Sequence, residues 1–531
     1  MQAPSAAATD SPAALPGDNA PFRRSPRRFH FVRAAVIGLA AGLLSVAFRR
    51  ALAYSESGRG DLVAALHAYP AWGWCVMPFI GAVLGAFVGW LTQRFSPQAA
   101  GSGIPHLKGV LLQMREMRWR SLLPVKFFAG VIGIGAGLSL GREGPSVQMG
   151  AAVAQALARP LRTSSSDLPQ LLSAGAGAGL AAAFNAPLAG LVFVVEELHR
   201  ELSSRTAAGA LIAAVCATVI TQWLAGDTPS FEARGLSAMP LEMLPLAAIV
   251  GILGGLGGVL FNRSLLAAQS FALRQQRVPR WLLPAIAGAI VGLVAWWMPD
   301  AIGGGQGVAE QLLNGKLALT LAPLAVLLAL KFVLTVISYG SGAPGGIFAP
   351  MLLIGALIGA VLAHGAGRLA PSIADQAEVL AVLGMAAMFV GSVRAPLTGI
   401  VLISEMTNGY ELLFPICIAG LAAYLTGEAL REPPVYDALL EADLHRSGQA
   451  LNKPEPRSMY IGVQTGSPLA GRKLQDAGLP RGCLVTAVER AGVIILPAAD
   501  TLLLPGDHVS ILAPGDQPDA PLEIVRLCTG L

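Results

Sequence analysis

Charged residues are scarce in this sequence. Lys and Arg total 37 and Asp and Glu 32, only 13% of 531 residues, while 54% are hydrophobic. A soluble domain carries roughly 25% charged residues, so this chain cannot cover a water-facing surface of its size. That scarcity excludes a soluble enzyme, a disordered protein and a coiled coil. Cysteine is sparse as well. Cys75, Cys216, Cys417, Cys483 and Cys528 show no paired spacing, which supports neither a disulfide framework nor a zinc site. The net charge of +5 is modest, and nothing resembles a nucleic-acid patch. Glycine is the residue in excess: 62 residues, about 12% against roughly 7% in average usage. Low charge with high glycine suits transmembrane helices that pack backbone to backbone.

Residues 1–28 are rich in Ala, Pro, Ser and Arg and read as a disordered leader. Arg23, Arg24, Arg27 and Arg28 precede the first apolar stretch, so the positive-inside rule places this end in the cytoplasm. An arginine pair can also open a twin-arginine export signal, but the following stretch is membrane-length and others succeed it, which excludes a cleaved signal peptide. About eleven apolar segments follow up to residue 430. Several are shorter than the ~20 residues needed to span, and glycine or proline interrupts many. Broken segments are tolerated at membrane depth only where protein or a water-filled cavity surrounds them. Basic loops at 108–120, 200–205 and 274–280 are expected on the cytoplasmic side with both termini.

An internal repeat is visible. A shift of 205 positions superimposes Lys126 on Lys331, Phe127 on Phe332, Gly141 on Gly346, Pro145 on Pro350 and Gly150 on Gly355. With four more residues inserted, Ala186-Pro187-Leu188 falls on Ala395-Pro396-Leu397 and Glu196 on Glu405. Two homologous halves with breaks at matching positions point to a transporter whose site lies between them. Whether the second half is inverted is not legible at this level.

Three glycine-rich breaks stand out: Gly101-Ser102-Gly103-Ile104-Pro105, Gly141-Arg142-Glu143-Gly144-Pro145, and the run from Gly340 to Pro350 that contains Gly345-Gly346-Ile347-Phe348. Each carries a proline suited to a first helical turn, after residues that let the backbone approach closely. Helix N-termini present unsatisfied N–H groups and a positive dipole end, so three of them converging could hold a small anion without a full positive charge. Glu143, Glu196, Glu197 and Glu405 lie in or beside apolar segments, where a carboxylate is costly. Glu143 sits inside the second break, so its carboxylate could occupy an anion site and leave it when protonated. Glu196 and Glu197 also suit a solvated helix end. Lys126, Lys331 and Glu405 read as structural partners.

In this order and spacing, GSGIP, GREGP and GGIFAP over residues 30–440 resemble the CLC family of chloride channels and chloride/proton antiporters, on its bacterial-type antiporter branch. The resemblance implies an all-α polytopic membrane protein of two inverted repeats of tilted, broken helices (29–440, with halves at about 30–225 and 240–430). It also implies a homodimer with one pore per subunit, in a bacterial inner membrane. Chloride and protons would be its substrates, with no cofactor. Ser102, Gly103, Gly346, Ile347, Phe348 and Tyr436 would bind the anion, Ser102 and Tyr436 through hydroxyls and Ile347 and Phe348 through amides. Glu143 would be the external gating glutamate and Glu197 the internal proton-transfer glutamate. Channel members usually lack an acid at the Glu197 position, so that residue favours exchange over a passive voltage- or pH-gated channel. Ser102 favours chloride, because nitrate-preferring relatives carry proline there. His106-Leu107-Lys108 and Glu201 depart from the bacterial antiporter pattern and leave the cytoplasmic proton entry open.

After a linker at 441–454, residues 455–531 alternate β-prone runs (459–463, 483–488, 493–496, 508–512) with turns and one expected helix at 468–477. This small α+β domain is similar to the TrkA-C type of regulatory domain, which implies a dimerising, small-molecule-sensing role. Two motifs compete elsewhere. Gly137-Leu138-Ser139-Leu140-Gly141 fits a nucleophile elbow and would suggest an intramembrane serine hydrolase, but it lacks the strand before it and the nearby histidine. Gly254-Gly255-Leu256-Gly257-Gly258 is expected to be a helix-packing stretch.

Overall fold

A computed structural model describes residues 27–530, save 165–166, 201–202, 228–230, 232–238, 276, 318, 369, 448–456, 492, 515–516 and 518. The first half contains α1 (Arg27–Leu66), α2 (Pro70–Phe95), α3 (Ile104–Leu111), α4 (Trp119–Gly135), α5 (Glu143–Leu157), α6 (Leu168–Phe184), α7 (Pro187–Phe193) and α8 (Ser204–Ala225). The second contains α9 (Leu244–Arg274), α10 (Leu283–Trp297), α11 (Gln306–Leu313), α12 (Leu321–Gly340), α13 (Phe348–Ala366), the short α14 (Pro371–Ala374), α15 (Ala377–Val393), α16 (Pro396–Thr407) and α17 (Leu413–Ala429). A further helix, α18 (Val435–Ser447), leads toward the tail. Among the described residues, eight helices are long and apolar enough to cross a membrane, and α6, α15 and α16 are shorter apolar helices.

Two expected boundaries shift. Arg27 and Arg28 already belong to α1, and the rest of the 1–28 leader lies outside the described residues. Residues 441–447 of the expected linker are the last two turns of α18, while 448–454 lie outside the described residues.

The halves repeat one packing scheme. α1 packs on α6 and α8 as α9 packs on α15 and α17, and α5 packs on α6 as α13 packs on α15. The same glycine pairs make both close approaches. A Cβ on Gly150 would run into the Gly175 carbonyl, and one on Gly355 into the Gly384 carbonyl. Lipid gives no hydrophobic drive for helix association, so van der Waals contact between bare backbones takes its place. The GGLGG stretch lies inside α9, with Gly254 and Gly258 against α15 and Gly255 against α17. It packs helices, as expected.

The equivalent helices α2 and α10 lie side by side and show the inversion. Gly81 faces Gly288, Gly85 faces Pro284, Gly89 faces Trp281 and Met77 faces Gly292. One number rises as the other falls, so the two helices are antiparallel and the second half is turned over relative to the first.

The tail is a four-stranded antiparallel sheet of order β1-β4-β2-β3, with β1 at Arg457–Gly462, β2 at Leu484–Arg490, β3 at Val493–Ile495 and β4 at His508–Ala513. The helix expected at 468–477 is instead a set of turns with a single 3-10 turn at Leu474–Asp476, because Gly471 needs a left-handed φ of 76° in its middle. The tail's helix is α19 (Ala520–Thr529), started by Pro521 and closed by a left-handed Gly530. Its Ile524, Val525 and Cys528 pack against Met459, Ile461, Val488 and Val509, and Leu112 and Met114 from the loop after α3 join that core. The tail therefore sits on the α3–α4 loop, where the Tyr460 N–H also donates to Gln113 Oε1 at 3.2 Å.

Candidate functional site

The three glycine breaks meet. The Gly141 N–H donates to the Gly346 carbonyl and the Gly346 N–H to the Gly141 carbonyl, both at 2.7 Å, and the Gly345 N–H donates to the Gly101 carbonyl at 3.0 Å. These bonds bring the starts of α3, α5 and α13 to one place, where first-turn N–H groups lack intrahelical partners. Gly103 precedes α3 with φ 87°. It is a conformation that L side chains rarely adopt, and a Cβ there would also strike Gln148. Ser102 is fully buried and its Oγ accepts the Ile104 N–H at 3.3 Å. A Cβ on Gly144 would meet the Ser102 carbonyl at 2.9 Å and Gly346 Cα at 3.0 Å, which measures how tightly the three breaks close on each other. Ile347, Phe348 and Tyr436 are fully buried. The Tyr436 ring stacks on Phe348 with centroids 6.0 Å apart, and Tyr436 Oη finds no hydrogen-bond partner among the described residues. Ser102, Gly103, Gly346, Ile347 and Phe348 thus lie at the breaks that meet, and Tyr436 joins them through its stacking on Phe348.

The two expected glutamates have different partners. Glu143 is the first residue of α5 and fully buried. Its Oε1 accepts from Gln306 Nε2 at 2.9 Å, and Arg142 Nε stands 4.0 Å away. Gly141 leaves the space its carboxylate uses, since a Cβ there would meet Glu143 Oε2 and, at 3.1 Å, the Ala349 nitrogen. A cavity of about 260 Å³ opens beside this arrangement, lined by Glu56, Arg59, Arg142, Gly305, Gln306 and Ala349. A second cavity, of about 290 Å³, borders Ser102 and Gly103 with His106, Tyr339, Ser341 and Asp443. Pro299, just past the end of α10, lines the first, and Pro97, just past the end of α2, lines the second. As α2 and α10 are antiparallel, the two cavities lie at opposite ends of the helix bundle.

Glu197 lies in a π-helical turn, Val194–His199, that follows α7; such turns are frequent at functional sites. It is buried, with Oε1 2.9 Å from Lys108 Nζ. Lys108 also pairs with Asp437, and Arg200 pairs with Asp437 from the other side. The sequence puts Lys108 at the start of a basic loop. It lies instead in α3 with its side chain 5% exposed, because two carboxylates offset the cost of its burial.

Glu196 points elsewhere. Its Oε1 accepts the Leu397 N–H at 3.0 Å, and its Oε2 accepts the Thr398 N–H at 2.6 Å and the Thr398 hydroxyl at 2.7 Å. Glu405 returns the contact, accepting the Leu188 N–H at 3.0 Å and the Ala189 N–H at 2.7 Å. The solvated-end reading of Glu196 gives way to a helix cap across the repeat boundary. Lys126 donates to the carbonyls of Ala99 and Gly101 at 3.0 and 2.7 Å, and Lys331 to those of Ala301 and Gly303 at 3.4 and 2.5 Å. Both lysines pin the loop that precedes a short helix.

Gln306, Asp437 and Arg200 escaped the reading of the sequence. Gln306 had a signal: Gly303-Gly304-Gly305 repeats the Gly101-Ser102-Gly103 break at a shift of 202. Asp437 and Arg200 had none. Ser139 of the elbow-like motif bonds Thr335 Oγ1 at 2.8 Å and has no imidazole partner among the described residues; its N–H donates to Ser338 Oγ at 3.0 Å. The motif links the end of α4 to the start of α5 rather than a strand to a helix. Glu201 lies outside the described residues.

Residues 84–428 match the family described as Voltage gated chloride channel. The chain belongs to the voltage-gated chloride channel, or CLC, family. Residues 459–520 match the TrkA-C domain, so this CLC protein carries a TrkA-C domain on its tail. It is 38% identical over 418 residues to an H(+)/Cl(-) exchange transporter ClcA of Vibrio campbellii, covering 77% of this chain and 89% of that one. It is 39% identical over 420 residues to the protein of that name from Cronobacter sakazakii, covering 77% and 89%. Among solved structures, a slow cyanobacterial Cl-/H+ antiporter superimposes with a TM-score of 0.75 at 34% identity, covering 80% of this chain and 99% of that chain. The CLC fold and its two inverted repeats are therefore those of this multi-pass membrane protein.

Proposed function

We propose that this chain exchanges chloride for protons across the membrane, with Glu143 as the gate that competes with the anion and Glu197 as the internal proton-transfer group. What supports the reading is that three helix starts meet beside the buried Ser102 and Tyr436, with buried Glu143 opening one of those helices and buried Glu197 held by Lys108, which stands six residues after Ser102. An anion held by N–H and O–H donors avoids the full positive charge that would bind it too tightly for turnover. Protonating Glu143 removes the charge that repels an incoming anion, and its side chain can then yield its place. Glu197 approaches the spot from the tail side, away from Glu143 and Gln306, so a proton and an anion share the centre but not the whole route. The relatives named as exchangers support the same reading.

In this reading the protein is a homodimer with one pathway per subunit, seated in a bacterial inner membrane. Arg280 lines the cavity that borders Ser102 and Asp443, and with Arg274 and Arg277 close to it in the chain it supports a cytoplasmic location for that side. No cofactor enters the scheme.

Reconstituted full-length protein tests it. In liposomes with an imposed chloride gradient, proton and chloride fluxes recorded together should show protons driven uphill. Chloride flux without any uphill proton movement would make the protein a passive channel of the same fold.

A further inference from the structure

We infer that Lys108 is a positioning residue for proton transfer, and that it ties the proton site to the tyrosine of the anion site. The inference rests on the assignment of Glu197 and Tyr436 made above.

The geometry is a closed set of four charges. Lys108 Nζ lies 2.9 Å from Glu197 Oε1 and pairs with Asp437, which also pairs with Arg200. Lys108, Glu197 and Asp437 are each at least 93% buried. The groups that act on Glu197 are Lys108 from α3, Asp437 from α18 and Arg200 just beyond its own turn, and the Tyr436 phenol on α18 lies within electrostatic reach of it. Two cations and two carboxylates balance, so the set is neutral while Glu197 is ionised.

A proton arriving from tail-side water adds to the Glu197 carboxylate and nothing else changes covalently. It must do so against the ammonium of Lys108, since an opposite charge within hydrogen-bond range favours the ionised carboxyl. Once Glu197 is neutral, Lys108 is left with Asp437 as its remaining carboxylate. Asp437 directly follows Tyr436 in α18, and Lys108 stands on α3, six residues after Ser102. Proton uptake therefore redistributes the ion pairs on the helix that carries Tyr436 and on the helix that starts just after Ser102. Both consequences belong to a lysine at this position.

Proton and chloride flux from reconstituted full-length protein, measured against the pH of the tail-side solution, tests this. Lys108→Met should move the half-maximal pH of proton flux upward by about one unit or more, and Lys108→Arg should restore the native profile. If Lys108→Met does not give folded protein, Lys108→Met/Asp437→Asn keeps the remaining charges balanced and should move the profile the same way. A profile coincident with the native one, or displaced downward, in the folded variant overturns the inference. Glu197→Gln in the same assay separates the two levels. Undiminished proton flux there would remove the assignment of Glu197 itself, whereas lost flux with an unmoved Lys108→Met profile would remove only the role of Lys108.

Discussion

Glu196 and Glu405 each close the helix start that belongs to the other half of the molecule. Glu196 accepts the first free N–H groups of α16, and Glu405 those of α7. Hydrogen bonds to an ionised carboxylate contribute about 1.5–3 kcal/mol each, and both sets also oppose a helix dipole. Glu196→Ala should therefore lower the thermal midpoint of the detergent-solubilised protein by several degrees. Glu196→Gln, which keeps an acceptor, should lower it less. Equal midpoints for the native protein and both variants would show that the caps contribute nothing to stability.

The gate admits a direct substitution. Glu143→Gln removes the charge and keeps the shape, mimicking the protonated side chain. Chloride should then cross liposome membranes while proton movement falls to the background leak. Strict coupling retained in that variant would rule out the gate assignment.

Tyr436 Oη is buried and bonded to nothing among the described residues, which leaves its proton for an anion. Losing one hydrogen bond to a charged partner costs about 1.5–3 kcal/mol, or roughly tenfold or more in affinity. Tyr436→Phe should weaken chloride binding by that factor in isothermal titration, with the fold intact because the Phe348 stacking survives. Unchanged affinity would take the phenol out of the site.

Glycine at 103 holds a left-handed backbone against Gln148. Gly103→Ala combines a conformational cost of about 1–2 kcal/mol with a collision, and both should be relieved by displacing the start of α3. Chloride flux should fall at least tenfold. Gly58→Ala is the control: that position lies within α1 with open space around it, so stability should be kept or slightly raised. Similar losses in both variants would mean that the glycine effect is general rather than local.

In the tail, burial pushes the Cys528 thiol up to about 12. At neutral pH almost none of it is thiolate, the form that reacts. In a variant keeping Cys528 as its sole cysteine, maleimide should label the folded protein negligibly and the denaturant-unfolded protein fully. Rapid labelling without denaturant would show that α19 is not packed as described.

Parts of this protein are legible in its sequence alone. Composition identified the membrane region because charge is costly in hydrocarbon and its scarcity is a bulk property. The shift of 205 residues exposed the repeat, since Lys126/Lys331 and Pro145/Pro350 must each pin or start the same local element. The three breaks announced themselves because only glycine tolerates φ near 87° or a backbone at contact distance. In the tail, strand runs of β-branched residues were visible, whereas α19 was missed because it is short and stands alone at the end of the chain.

Tertiary structure decided the relations between these parts. Inversion of the second half appears only where α2 and α10 run antiparallel, since a sequence repeat has no direction in space. Adjacent in the chain, Glu196 and Glu197 both suit a solvated helix end by local sequence; a π-helical turn sends one to cap α16 and the other inward to Lys108. That pairing joins residues 89 positions apart, and Asp437, a further 240 along by the numbering, completes it. Local sequence determines which groups can donate, accept or ionise. Which charges meet depends on how the chain is folded back on itself, because Coulomb and hydrogen-bond energies fall off over a few ångströms in space, whatever the separation along the chain.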